Sequence, residues 1–90
     1  MRIKVELHRD VVWYLKRRCN EKERAEFSAV QERIRSDPIT LIDETDAIFE
    51  PRLSTHMLRL FRFGNNVAVF RFDPARSKIK ILECYPSLPN

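Results

Sequence analysis

The sequence contains little cysteine and no long apolar run, and each shortage excludes a class of protein. Cys19 and Cys84 are its only two cysteines. They lack the spacing of a zinc site or a disulfide framework, so reduced thiols are expected. No apolar run approaches the roughly 20 residues that span a bilayer, and the N-terminus lacks the apolar stretch of a secretory signal. We therefore expect a cytoplasmic protein with no membrane association, no metal site and no cofactor.

Length and composition are those of one small globular domain. Residues 1–90 suffice for a single core and are too few for two. Apolar residues make up 43% and charged residues 33% of the chain, which is ordinary for a soluble protein. No internal repeat is present, so one domain covering residues 1–90 is expected.

Charge is distributed unevenly along the chain. Residues 1–36 carry ten Lys or Arg and six acids, residues 37–56 carry one and five, and residues 57–90 carry six and two. Two basic blocks therefore flank an acidic connector. Together with a pI near 9.4, this pattern indicates a nucleic acid or an acidic protein as partner, unless the helix charges are simply solvated.

The N-terminal part predicts a strand followed by a helix. In the segment Ile3–Leu7 apolar residues alternate with charged ones, which is typical of an amphipathic strand that joins a sheet. Asp10 is expected to cap a first helix that contains Val11–Leu15. The basic tail Lys16-Arg17-Arg18 complements the negative end of the helix dipole.

A second helix is predicted directly after the first. Asn20 and Glu23 have the spacing of a capping box, and Pro38 marks a point beyond which the helix cannot continue. Its apolar positions recur at helical spacing: Phe27, Val30 and Ile34. The two helices are expected to form a hairpin that covers one face of the sheet.

The C-terminal third predicts an antiparallel meander. Its three strands are expected at Met57–Phe63, Val67–Asp73 and Lys78–Tyr85. The links Gly64–Asn66 and Asp73–Ser77 are rich in residues that favour turns. The segment between Ile39 and His56 is expected to be an exposed connector, although its apolar residues could dock a short element on the core. The predicted fold class is α+β with the order β-α-α-β-β-β.

Cations interrupt the apolar runs of this meander and outnumber its acids, Asp73 and Glu83. The cations are Arg59, Arg62, Arg71, Lys78 and Lys80. A sheet that only had to face water would not need this bias. The meander therefore indicates an anionic partner.

This layout resembles the RelE/ParE toxin superfamily of bacterial type II toxin–antitoxin systems, which also serve in plasmid stabilisation. The resemblance covers nearly the whole chain and rests on Ile3–Leu7, the helical stretch Val11–Ser36 ending at Asp37-Pro38, Met57–Gly64, Val67–Asp73 and Lys80–Tyr85. Two features depart from the family pattern. Val67-Ala68 stands where the family has an aromatic-Arg pair, and the usual terminal Arg after Tyr85 is absent.

The resemblance implies one of two activities. RelE-like members are metal-independent endoribonucleases that cleave messenger RNA on the ribosome: the ribose 2′-hydroxyl attacks the adjacent phosphate while cations stabilise the phosphorane. ParE-like members inhibit DNA gyrase without cutting RNA. Both are neutralised by a cognate antitoxin, so a toxin–antitoxin hetero-oligomer is implied.

Seven residues are candidates for an RNA-cleaving site. Arg59, Arg62, Arg71 and Tyr85 are the catalytic candidates, and Lys78, Lys80 and His56 are candidates for binding RNA. Arginine suits a phosphorane because its guanidinium forms bidentate hydrogen bonds. Arg59 and Arg62 are three residues apart, so a regular strand points them to opposite faces. Each cation could instead be a solvent-facing sheet residue, and Tyr85 a packed amphipathic side chain.

Three functions are compatible with the sequence. The first is a RelE-like ribosome-dependent ribonuclease. The second is a ParE-like gyrase inhibitor, or a catalytically inactive member that acts only by binding protein. The third is a small basic nucleic-acid-binding domain unrelated to toxins.

Overall fold

A computed structural model describes residues 3–37, 46–48 and 58–87, which form two helices and five strands. The elements are β1 Lys4–Leu7, α1 Arg9–Arg18, α2 Glu21–Ser36, β2 Asp46–Ile48, β3 Leu58–Phe63, β4 Asn66–Asp73 and β5 Lys78–Pro86. The predicted α+β class and the order of strand, helical hairpin and meander are confirmed. Strand β2 was not predicted, and the remainder of the connector, with His56, lies outside the described residues.

The strands form one mixed sheet in the order β1-β5-β4-β3-β2. Strands β2 to β5 pair antiparallel, as the meander predicts, but β1 pairs parallel with β5. The sheet is therefore not antiparallel throughout. Because β1 lies beside the last strand and not beside a strand joined to it by a hairpin, no tight turn forces it to run antiparallel.

Both helices begin at a residue whose side chain caps the backbone amides of the first turn. At α2 both hydrogen bonds of the predicted capping box are present, with the Asn20 side chain accepting from the Glu23 amide at 2.8 Å. At α1 the prediction of Asp10 as the cap is wrong. His8 has extended backbone at this position, and its Nδ1 accepts a 3.1 Å hydrogen bond from the Asp10 amide. Asp10 lies in the first turn, where its charge favours the helix dipole.

The core lies between the helical hairpin and one face of the sheet. Phe27 of α2 packs edge-on against Phe63 with ring centroids 5.1 Å apart, and Phe61 of β3 lies 5.8 Å from Phe70 of β4. The largest side chains buried almost completely are Phe27, Ile34, Phe70, Ile79, Ile81 and Val11. Apolar burial on this scale, at about 1.5–3 kcal/mol for each large side chain, fixes the helices to the sheet. No described helix is long and apolar enough to cross a membrane.

Candidate nucleic-acid interface

Strand register assigns each meander residue to one of two sheet faces, because directly paired residues share a face. Phe70, Ile79 and Ile81 belong to the core beneath the helices. The alternate positions form the opposite face, which we call the outer face. Its members on the described strands include Glu6, Leu58, Leu60, Arg62, Val67, Val69, Arg71, Asp73, Lys78, Lys80, Glu83 and Tyr85.

Arg59 and Arg62 lie on opposite faces, as their spacing predicts. Arg59 is directly paired with Phe70, so it lies on the helix side of the sheet, where it is half-buried and engaged in a contact. Arg62 is paired with Val67 on the outer face and is exposed. The structure therefore separates two of the residues that the sequence proposes for one catalytic site.

Arg62, Val67 and Tyr85 form a row across the outer face. Val67 pairs with Arg62 on one side and with Tyr85 on the other. Because neighbouring strands lie about 4.8 Å apart, the backbones of Arg62 and Tyr85 are about 10 Å apart. Val67 is 4% exposed and Tyr85 is 40% exposed. The arrangement places a guanidinium and a phenol on either side of an apolar residue.

A β-bulge in β5 turns Tyr85 to the outer face. Ile81 pairs with Phe70 and Glu83 pairs with Val69, which leaves Leu82 as the additional residue. In a regular strand with no bulge, strict alternation from Ile81 would direct Tyr85 towards the helices. The same shift directs Cys84 into the core, where burial raises the pKa of its thiol to about 12.

The outer face also carries an apolar strip between its charged ends. Leu58, Val67 and Val69 are 8%, 4% and 4% exposed, although they lie on the face away from the helices. Arg62 lies beside Val67 at one end of this strip, and Arg71 lies beside Leu58 at the other. The cations of the outer face are thus divided into two groups, Arg62 by itself and the cations near Arg71.

The second group surrounds the hairpin between β4 and β5. Arg71, Asp73, Arg76, Lys78 and Lys80 line a small pocket of about 30 Å³. The Lys78 ammonium lies 2.8 Å from a Glu6 carboxylate oxygen. That hydrogen bond is the main reason why the pKa of Glu6 lies below its usual value.

The two cysteines and Glu83 lie outside both groups of cations. Cys19 and Cys84 are both free thiols, as expected. Among the described residues, no three His, Cys, Asp or Glu side chains are grouped so as to hold a metal ion. Glu83 is exposed opposite Val69.

The sequence did not identify Arg76 and Glu6 as neighbours of the cations at the β4–β5 hairpin. Arg76 belongs to a short 3-10 turn, Pro74–Arg76, that gave only a loop signal. Glu6 reaches Lys78 because β1 pairs parallel with β5, with Lys4 opposite Lys78 and Glu6 opposite Lys80. Alternation within β1 marked Glu6 as a charged position, but nothing in the sequence indicated which strand it would join.

No protein-family model and no curated protein matches this sequence. The fold is similar to that of a chain in the crystal structure of the archaeal RelE–RelB complex from Pyrococcus horikoshii OT3. The TM-score is 0.78 at 18% sequence identity, and the match covers 96% of both chains. The protein therefore has a RelE-like fold.

Proposed function

We propose that the protein is the toxin of a toxin–antitoxin pair and that it cleaves messenger RNA on the ribosome without a metal ion. The observation that carries this proposal is the row formed by Arg62, Val67 and Tyr85 on the outer face. The RelE-like fold supports it, since a chain of the RelE–RelB complex shares that fold over nearly the whole length of this one.

The row contains the groups that phosphodiester cleavage needs. The ribose 2′-oxygen forms a bond to phosphorus, the bond from phosphorus to the 5′-oxygen breaks, and a cyclic phosphate and a 5′-hydroxyl result. Arg62 stabilises the additional negative charge on the phosphorane through its paired N–H donors. The Tyr85 hydroxyl delivers a proton to the departing 5′-oxygen, while water accepts the proton from the 2′-hydroxyl.

The partner that restrains this activity is a cognate antitoxin in the cytoplasm. The chain carries a net charge of +4, and its outer face holds two separate groups of cations. An acidic antitoxin segment lying over that face would neutralise both groups and block access of RNA to Arg62 and Tyr85.

A second candidate function is protein binding, to gyrase or to the antitoxin alone. Ala68, next to the row, stands where the resembling family carries the Arg of its aromatic-Arg pair, and it is fully buried on the helix side of the sheet. Because the loss of one preorganised cation lowers the rate of such a reaction by about 10²–10³-fold, this departure weakens catalysis but does not weaken binding. A small nucleic-acid-binding domain is the third candidate, and the cations of the outer face support it.

Induced expression in growing cells distinguishes these functions. We expect growth arrest with messages cut at fixed positions within codons, and loss of both effects in Arg62→Ala and Tyr85→Phe. Arg17→Ala, which removes an exposed cation from α1, is the matched control and is expected to arrest growth like the wild type. Arrest with DNA damage and intact messages identifies the gyrase inhibitor instead. A harmless wild type overturns the toxin proposal and leaves the fold unchanged.

A further inference from the structure

Two cations face each other across the β4–β5 hairpin, and Glu6, the acid opposite one of them on β1, binds Lys78 instead. Arg71 is directly paired with Lys80. Like charges at paired positions of a sheet repel and destabilise the pairing. Both side chains are half-buried, and within the part of the chain that the structure describes neither forms an ion pair. The repulsion between Arg71 and Lys80 is therefore only partly offset, by a Glu6 carboxylate that lies opposite Lys80 but binds Lys78.

The neighbouring cations of the same pocket are compensated. Lys78 binds Glu6 at 2.8 Å, and Arg76 lies 3.7 Å from Asp73. These two acids are thus already engaged with these two cations. Arg71 and Lys80 are left to attract an anion from outside the described chain.

The pocket suits part of an oxyanion. Its volume of about 30 Å³ is close to the volume that one water molecule occupies in the liquid. It can therefore hold one or two oxygen atoms of a larger anion that remains open to solvent. Arg71 can offer paired N–H donors to such oxygens, and Lys80 adds a compact positive charge.

We propose that this hairpin pocket holds a backbone phosphate of the RNA strand whose scissile phosphate lies at Arg62. This inference rests on the proposed function. Arg71 and Val67 are four residues apart on β4, which separates the pocket from the Arg62 row by about 13 Å on the same face. The apolar strip containing Val69 lies between them. Arg71 and Lys80 are positioning residues that fix the register of the strand and take no part in bond cleavage.

Binding of a labelled single-stranded RNA, followed by fluorescence anisotropy over a range of salt concentrations, tests the pocket. The double variant Arg71→Gln/Lys80→Gln is compared with Arg17→Gln/Lys22→Gln, which removes two exposed helix cations. Because each neutralised phosphate contributes about 0.7 to the salt slope for single strands, and the pocket holds one phosphate, we expect the Arg71→Gln/Lys80→Gln variant to lose about 0.7 from the slope and at least tenfold in affinity. The control variant is expected to stay within threefold of the wild type.

Inorganic phosphate and an acidic peptide serve as additional probes. We expect phosphate to raise the unfolding midpoint of the wild type but not that of the hairpin variant, and the peptide to bind both proteins equally. Equal losses of RNA affinity in the two double variants would overturn the proposal that the pocket binds RNA. The same conclusion would follow if the substitutions in the pocket weakened binding of the peptide and left binding of RNA unchanged. RNA binding that depends on the pocket, without message cleavage, would leave the pocket standing and remove the proposed function. Message cleavage by the Arg71→Gln/Lys80→Gln variant, with its RNA binding unaltered, would overturn the pocket and leave the proposed function standing.

Discussion

The Tyr14 hydroxyl donates a 2.6 Å hydrogen bond to the side-chain oxygen of Asn66, 52 positions later in the chain. Asn66 is only 5% exposed, and its amide nitrogen donates to the Glu23 carboxylate and to the Phe63 carbonyl oxygen. These bonds join α1, α2 and the start of β4. Since Val67 follows directly, the network sets the position of the Arg62 row relative to the helices.

Asn66→Ala is expected to destabilise the protein by about 2–3 kcal/mol. The substitution leaves the buried Tyr14 hydroxyl without an acceptor, and an unsatisfied buried polar group costs about 1–3 kcal/mol. Chemical denaturation monitored by Trp13 fluorescence or circular dichroism measures the change.

Tyr14→Phe and Asn65→Ala are the controls for this substitution. Tyr14→Phe removes the donor and is expected to cost about 1 kcal/mol, because a typical hydrogen bond contributes that much and Asn66 keeps its other partners. Asn65 is exposed, so Asn65→Ala is expected to change stability by less than about 0.5 kcal/mol. Equal effects of Asn65→Ala and Asn66→Ala would argue against a structural role for the network.

Glu23→Gln is expected to reduce the loss of folding stability that occurs as the pH becomes acidic. The pKa of Glu23 lies below its usual value of 4.5, first because the carboxylate accepts the Asn20 backbone amide and then because it accepts from Asn66. A carboxyl whose pKa falls on folding stabilises the folded state above its unfolded pKa, and the contribution is lost as pH falls through the folded pKa.

Urea midpoints at pH 7 and pH 3 measure this contribution. Between pH 7 and pH 3 the wild type is expected to lose more stability than Glu23→Gln. The difference in unfolding free energy between the two proteins therefore narrows at low pH. Glu21→Gln, at an exposed residue of the same helix turn, is the matched control and should follow the wild type. A constant difference between wild type and Glu23→Gln would contradict the assignment.

Much of the fold could be predicted from the sequence because its signals are local. Asn20 and Glu23 form a capping box within one turn, and alternation in the Ile3–Leu7 segment identifies the residues that pack in or against the core. The odd spacing of Arg59 and Arg62 was likewise enough to assign them to opposite faces. Each of these conclusions depends on neighbours a few positions apart.

The parts that could not be predicted depend on contacts between distant segments. The parallel pairing of β1 with β5 decides that Glu6 meets Lys78, and neither strand carries a mark of that choice. The bulge at Leu82 reverses the face of Tyr85, although the sequence there shows no Gly or other bulge signal. Asp10 and His8 differ by two positions, and both carry side chains able to accept a hydrogen bond at a helix start.

Cys84 is expected to react very slowly with thiol reagents in the folded protein. Burial is the main cause that raises the pKa of this thiol to about 12, and only the thiolate is nucleophilic, so about one molecule in 10⁴ is reactive at pH 8. The reaction of Cys19→Ala with an aromatic disulfide reagent, with and without urea, measures the rate of Cys84 alone. Fast labelling without urea would contradict the placement of Cys84 in the core that follows from the bulge.

Strand β3 directs its two arginines, Arg59 and Arg62, to opposite faces of the sheet. If Arg62 stabilises the phosphorane, Arg62→Ala lowers single-turnover cleavage of ribosome-bound message by about 10²–10³-fold. Arg62→Lys recovers only part of that loss, because an ammonium cannot supply paired N–H donors. Arg59→Ala is expected to remain within tenfold once rates are corrected for the folded fraction, since Arg59 lies on the helix side of the sheet. Equal losses for well-folded Arg59→Ala and Arg62→Ala would contradict a site confined to the outer face, because residues on the two faces cannot contact the same phosphate.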